Sequence, residues 1–75
     1  MRTLKIGDRV RLKVHSLFSR KGKTGTVIET RTDTVRFLKD QSAEFCDACH
    51  HEVAKMRDQT PNPEHSRYLL ERGLV

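Results

Sequence analysis

The sequence predicts a mainly β domain, a small five-stranded antiparallel barrel that carries a short C-terminal α-helix. Three observations lead there. Apolar and β-branched residues recur in short alternating segments, polar or glycine-containing turns separate those segments, and the composition changes abruptly at Arg57. A sheet of such short strands hides its edges best by closing on itself.

Arg9 to His15 alternates strictly, with Val10, Leu12 and Val14 on one side and Arg9, Arg11, Lys13 and His15 on the other, the pattern of a half-buried strand. Thr24 to Thr30 holds the β-branched cluster Thr26, Val27, Ile28 and Thr30 and is entered through Gly22 and Gly25, which predicts a second strand. Those glycines permit positive φ or a close backbone approach. Thr34 to Lys39 sets Val35 and Phe37 on one face, and Ser42 to Cys46 sets Ala43 and Phe45 likewise, giving strands three and four. Arg31-Thr32-Asp33 and Lys39-Asp40-Gln41-Ser42 supply the polar hairpin turns. Val53 to Met56 closes the set after an irregular or 3₁₀ segment at Ala48 to Glu52.

Arg57 to Pro63 reads as a linker, so the barrel occupies residues 1–56 and the linker and helix residues 57–75. Asn62 is placed to cap the helix, with Pro63 first, Glu64 in the first turn, Arg72 in the last and Gly73 as the stop. His65, Tyr68, Leu69 and Arg72 form one seam, and a helix of about ten residues is stable only when docked. It is expected on the barrel. The alternative makes Tyr68, Leu69, Leu70, Leu74 and Val75 a detachable docking peptide for a partner.

The 75 residues carry 15 Lys+Arg against 10 Asp+Glu, a net charge of +5 and a pI near 9.7. One domain of this size buries only about 60% of its unfolded surface, so a large catalytic cleft is not expected. No apolar run approaches the ~20 residues that cross a bilayer. Charges interrupt the first residues where a secretory signal would be apolar, and the expected location is cytoplasmic.

The charge is unevenly spread. In residues 1–25, Arg2, Lys5, Arg9, Arg11, Lys13, Arg20, Lys21 and Lys23 meet Asp8 alone, while the rest of the chain is mildly acidic. This asymmetry points to a polyanionic partner, unless basic strands pair with acidic ones and cancel in space.

Lys5-Ile6-Gly7-Asp8-Arg9-Val10-Arg11-Leu12, then Gly22-Lys23-Thr24-Gly25-Thr26-Val27-Ile28-Glu29, then Val35-Arg36-Phe37 and Glu44-Phe45, resemble the KOW-type SH3-like barrels of ribosomal proteins and NusG-type transcription factors. The resemblance spans residues 5–56. It implies that a Gly-Asp pair starts the first strand, that a Gly-Lys-x-Gly-x-Val element turns into the second, and that a short closing strand returns beside the first. It also implies a place in the transcription or translation apparatus. Cys46 to His51 and the appended helix lie outside the family pattern.

The candidate nucleic-acid-binding residues are Arg9, Arg11, Lys13, His15, Phe18, Arg20, Lys21 and Lys23. Alternate residues of a strand repeat at about 6.6 Å on one face, so the first four could follow a sugar-phosphate backbone. The next loop adds cations around Phe18, a combination used for single strands and irregular RNA; Phe18 could equally plug one end of the barrel. Backbone or shape recognition is expected rather than base readout.

Cys46-x-x-Cys49-His50-His51 matches the c-type haem string, a reading that requires export and is set aside. Cys46, Cys49 and His50 could hold zinc with His15 or His65 as a remote fourth ligand, but a zinc site usually shows two paired clusters. The plain alternative is two small half-buried cysteines at a strand end with solvated histidines. Gly22-Lys23-Thr24 enters a strand, so it is no P-loop. No nucleophile elbow precedes a triad, and adjacent Cys49 and His50 would point apart on a strand, so no enzyme is expected.

The sequence thus predicts a small nucleic-acid-associated module. The competing reading is an adaptor that docks on a larger machine such as RNA polymerase or a ribosomal component. In that reading Tyr68, Leu69 and Leu70 are the contact residues.

Overall fold

The computed structural model describes residues 3–15, 20–40 and 44–74. Five strands, β1 (Arg9–Leu12), β2 (Thr24–Thr30), β3 (Thr34–Lys39), β4 (Phe45–Cys49) and β5 (Val53–Lys55), form one antiparallel sheet in the order β4-β3-β2-β1-β5. A 3₁₀ turn, His50–Glu52, joins the two edge strands, and α1 (Pro63–Glu71) follows. Apolar residues from every strand, including Cys46 and Ala48 on one edge and Val53 on the other, join Leu4, Val10, Leu12, Val27, Val35 and Phe37 in a single buried cluster. Edges that share one core require a sheet coiled on itself, which gives the barrel-like shape. Among the described residues no helix is long and apolar enough to cross a membrane.

The second and third strands match the sequence expectation to the residue. The first is shorter. β1 leaves the ladder after Leu12 because its neighbours end: β5 begins opposite it at Val53, and the Lys13 N–H donates instead to the Glu52 carbonyl of the 3₁₀ turn at 2.8 Å. The fourth strand is displaced relative to the expected Ser42 to Cys46, of which residues 42 and 43 lie outside the described residues. Its phase is also opposite. Cys46 lies across from fully buried Phe37 and Ala48 across from Val35, so small side chains fill the space beside Phe37 while Phe45 turns outward, 46% exposed. β5 ends at Lys55, one residue before the expected Met56.

Gly22 and Gly25 serve different needs. Gly22 has φ +95°, left-handed backbone that favours glycine, whereas a Cβ on Gly25 would collide with the Leu38 carbonyl and lie 2.7 Å from the Phe37 ring. At Ile28 the β2–β3 register shifts, which lets Val27 enter the main core and Ile28 reach the opposite face.

That outer face receives α1. The Asn62 side chain accepts from the Glu64 N–H at 3.0 Å, Pro63 takes the first helical position, and Leu69 packs with Ile28, Leu38 and half-buried Tyr68. Leu69 is 4% exposed and therefore belongs to the fold, against its reading as a partner contact; Leu70, 69% exposed, faces solvent. The stretch read as a linker is also docked. The Gln59 side-chain amide accepts from the Arg9 N–H at 2.9 Å and donates to the Arg9 and Met56 carbonyls at 3.0 and 2.6 Å.

Candidate nucleic-acid interface

Under the helix lies a polar network built from four elements. Arg9 of β1 donates Nη1 to Asp40 Oδ1 at 2.7 Å and Nη2 to Oδ2 at 2.6 Å, and Nη1 also reaches Thr26 Oγ1 at 2.8 Å. Asp40 accepts further from the Thr24 hydroxyl and, at 3.3 Å, from the Asn62 amide. The Arg9 hydrogen bonds hold the Asp40 carboxyl well below the usual carboxylate range and, in return, raise the guanidinium. With its side chain only 11% exposed and both prongs engaged, Arg9 is a structural cation and leaves the expected basic row.

His65 completes the network. Its Nε2 lies 3.3 Å from the Lys39 carbonyl, which can only accept, so Nε2 carries the proton and Nδ1 accepts from the Thr26 hydroxyl at 2.7 Å. Burial lowers its pKa further than the nearby Asp40 carboxylate raises it.

The other described cations of the first third are exposed. Arg11, Lys13, Arg20, Lys21 and Lys23 form no ion pair among the described residues, whereas Arg31, Arg36, Lys39 and Lys55 are matched with Glu29, Asp47, Glu44 and Asp8. The pairing that could have cancelled the charge gradient therefore occurs mainly outside it. Arg20, Lys21, Gly22, Lys23 and Thr24 line an open cleft of about 560 Å³ with Lys39, Asp40 and Glu44. Both acids in it are already engaged, Asp40 with Arg9 and Glu44 with Lys39 at 3.4 Å. The cleft is thus left positive.

Arg11 extends this surface. On β1 it pairs with Thr24 of β2 on one side and Ala54 of β5 on the other, and it lines a second hollow of about 540 Å³ with Lys55, Arg57 and the one acid Asp58. At roughly 4.8 Å between strands, the hollow and the cleft are neighbours across β1 and β2. His15 plays a supporting part, since its Nδ1 accepts the Lys21 N–H at 3.4 Å. Phe18 lies outside the described residues. Sequence reasoning missed Arg57; only knowledge that the fifth strand flanks the first would have brought it in.

The proposed zinc ligands diverge. Cys46 is buried in the core, Cys49 sits half-buried at the end of β4, and His50 Nε2 lies 2.7 Å from the Arg31 carbonyl. Among the described residues no group of three or more His, Cys, Asp or Glu is arranged to hold a metal ion. Glu52 lies beside the Cys49 thiol and pushes its pKa up, the opposite of what a ligand or nucleophile requires.

No family model matches this chain, and no curated protein matches it. The site therefore rests on its own geometry.

Proposed function

We propose that this chain is a nucleic-acid-associated module that grips phosphate backbone along the strip running from Arg11 to the Arg20, Lys21 and Lys23 cleft, with Lys13 beside it. The observation that carries the reading is the uneven pairing of charge: Arg31, Arg36, Lys39 and Lys55 have carboxylate partners, whereas the five cations of the strip, clustered on β1 and the loop into β2, have none among the described residues. The resemblance to KOW-type barrels supports a setting in cytoplasmic transcription or translation. The reading assigns no catalytic step and no cofactor.

Fluorescence anisotropy with single-stranded RNA, single-stranded DNA and duplex DNA at several salt concentrations tests it. Binding should weaken steeply with salt, with a log–log slope near −0.7 per phosphate contact on a single strand. Replacing Arg20, Lys21 and Lys23 together with alanine should flatten that slope by about 2. Absence of binding at low salt, or binding indifferent to salt, would overturn the reading. An adaptor role has one observation in its favour, the exposure of Leu70 and Leu74 on and after α1. It would then be supported by retained binding to a polymerase or ribosomal component after the cationic residues are removed.

A further inference from the structure

Phe45 and Tyr68 are far apart in sequence and meet on the outer face. Their ring centroids are 6.2 Å apart at 65°, an edge-to-face pair. The Arg36 guanidinium lies over the Phe45 ring at 5.7 Å and that of Arg72 over Tyr68 at 4.9 Å. Tyr68 leans on the Leu69 cluster, but Phe45 stays 46% exposed on an edge strand, so nearly half of its surface remains available.

The location gives this pair its meaning. Phe45 lies opposite Leu38, and the residues next to these two, Glu44 and Lys39, form the far wall of the basic cleft. Phe45 and Leu38 point to the outer face, one residue along β4 and β3 from that wall, so a strand whose phosphates occupied the cleft would meet the rings on leaving it over this edge. Building on the backbone-binding reading above, we propose that Phe45 and Tyr68 are a stacking platform for unpaired bases of a single-stranded nucleic acid. Charge complementarity selects this occupant: Arg72, which lies on the Tyr68 ring and has no ion pair among the described residues, and the positive cleft beside the rings suit a polyanion that carries flat apolar faces. Stacking of this kind accepts any base, so it adds affinity for single strands without sequence preference.

The test compares a fluorescein-labelled oligouridine of about twelve nucleotides, a length that a small single-strand site can cover, with an abasic strand of equal length. The wild-type chain should bind the base-bearing strand about tenfold more tightly, and Phe45→Leu should abolish that preference while leaving the salt slope unchanged. The chain has no tryptophan. Phe45→Trp therefore provides a lone reporter, whose emission should be quenched by oligouridine and not by the abasic strand. Equal, salt-dependent binding of both strands by the wild type would overturn the platform and leave the backbone reading standing. Binding of neither would overturn both. Emission from the Phe45→Trp variant that responds to an acidic aromatic peptide and to no strand would also overturn the platform, in favour of a protein occupant.

Discussion

Arg9 and Asp40 clasp each other through two parallel hydrogen bonds, at 2.7 and 2.6 Å, and the same carboxylate holds Thr24 of β2 and the cap residue Asn62 of α1. One acid thus ties two strands to the helix. Removing it leaves a largely covered guanidinium without a counter-charge, which costs more than the pair contributes.

Asp40→Ala should accordingly lower unfolding stability by about 2 kcal/mol, measured by urea denaturation. The acid limb carries the same signature. The folded carboxyl titrates below its unfolded value, so its stabilisation is complete above about pH 4 and drains away as pH falls further. Asp40→Asn should flatten that limb. An unchanged limb would show that other acids dominate it.

His65 predicts a second pH dependence. It is 3% exposed and neutral between Thr26 and the Lys39 carbonyl, with Arg9 and Asp40 facing it from the sheet and Glu64 beside it on the helix. Its folded pKa lies below the unfolded value near 6.5, so the unfolded chain takes up a proton first. Stability should therefore begin to fall as pH drops through about 6.5. His65→Gln should weaken this step, and NMR titration of the ring should show a midpoint below that of an exposed histidine.

Neighbouring leucines on α1 should behave oppositely. Leu69→Ala removes the side chain that meets Ile28 and Leu38 and should cost about 2 kcal/mol, with faster amide exchange in α1 than in the sheet. Leu70→Ala should stay within about 0.5 kcal/mol, because Leu70 is 69% exposed. Equal effects would contradict the docking geometry.

Gly25→Ala must displace the Leu38 carbonyl or the Phe37 ring and should destabilise by about 1–3 kcal/mol. Gly22→Ala meets open space and is penalised only by its backbone conformation, about 1 kcal/mol. Thermal melts of the two variants should rank in that order.

Much of this was legible in the chain. Thr24 to Thr30, Thr34 to Lys39 and the capped start of α1 declare themselves through local signals, β-branching, short polar turns and an Asn-Pro pair. What escaped depends on contacts distant in sequence. Phe45 looked like core because its neighbourhood alternates, yet the phase of β4 is set by the bulk of Phe37 across the ladder. Arg9 looked like a surface cation because nothing near it in sequence reveals Asp40, and Phe45 gave no hint of Tyr68. Phe18 and part of the expected fourth strand fall outside the described residues.

The amide of Gln59 has a bearing on how far the sheet stays zipped. Where β5 ends, the Arg9 carbonyl still accepts from the Met56 N–H at 2.9 Å, but the Arg9 N–H has no strand partner, and the Gln59 side chain supplies one as a further residue of backbone would. Gln59 thereby works as a splint at the end of the β1–β5 seam. Its loss would be felt first as fraying there, with the Arg9 amide exchanging early while the rest of the sheet kept its pairing.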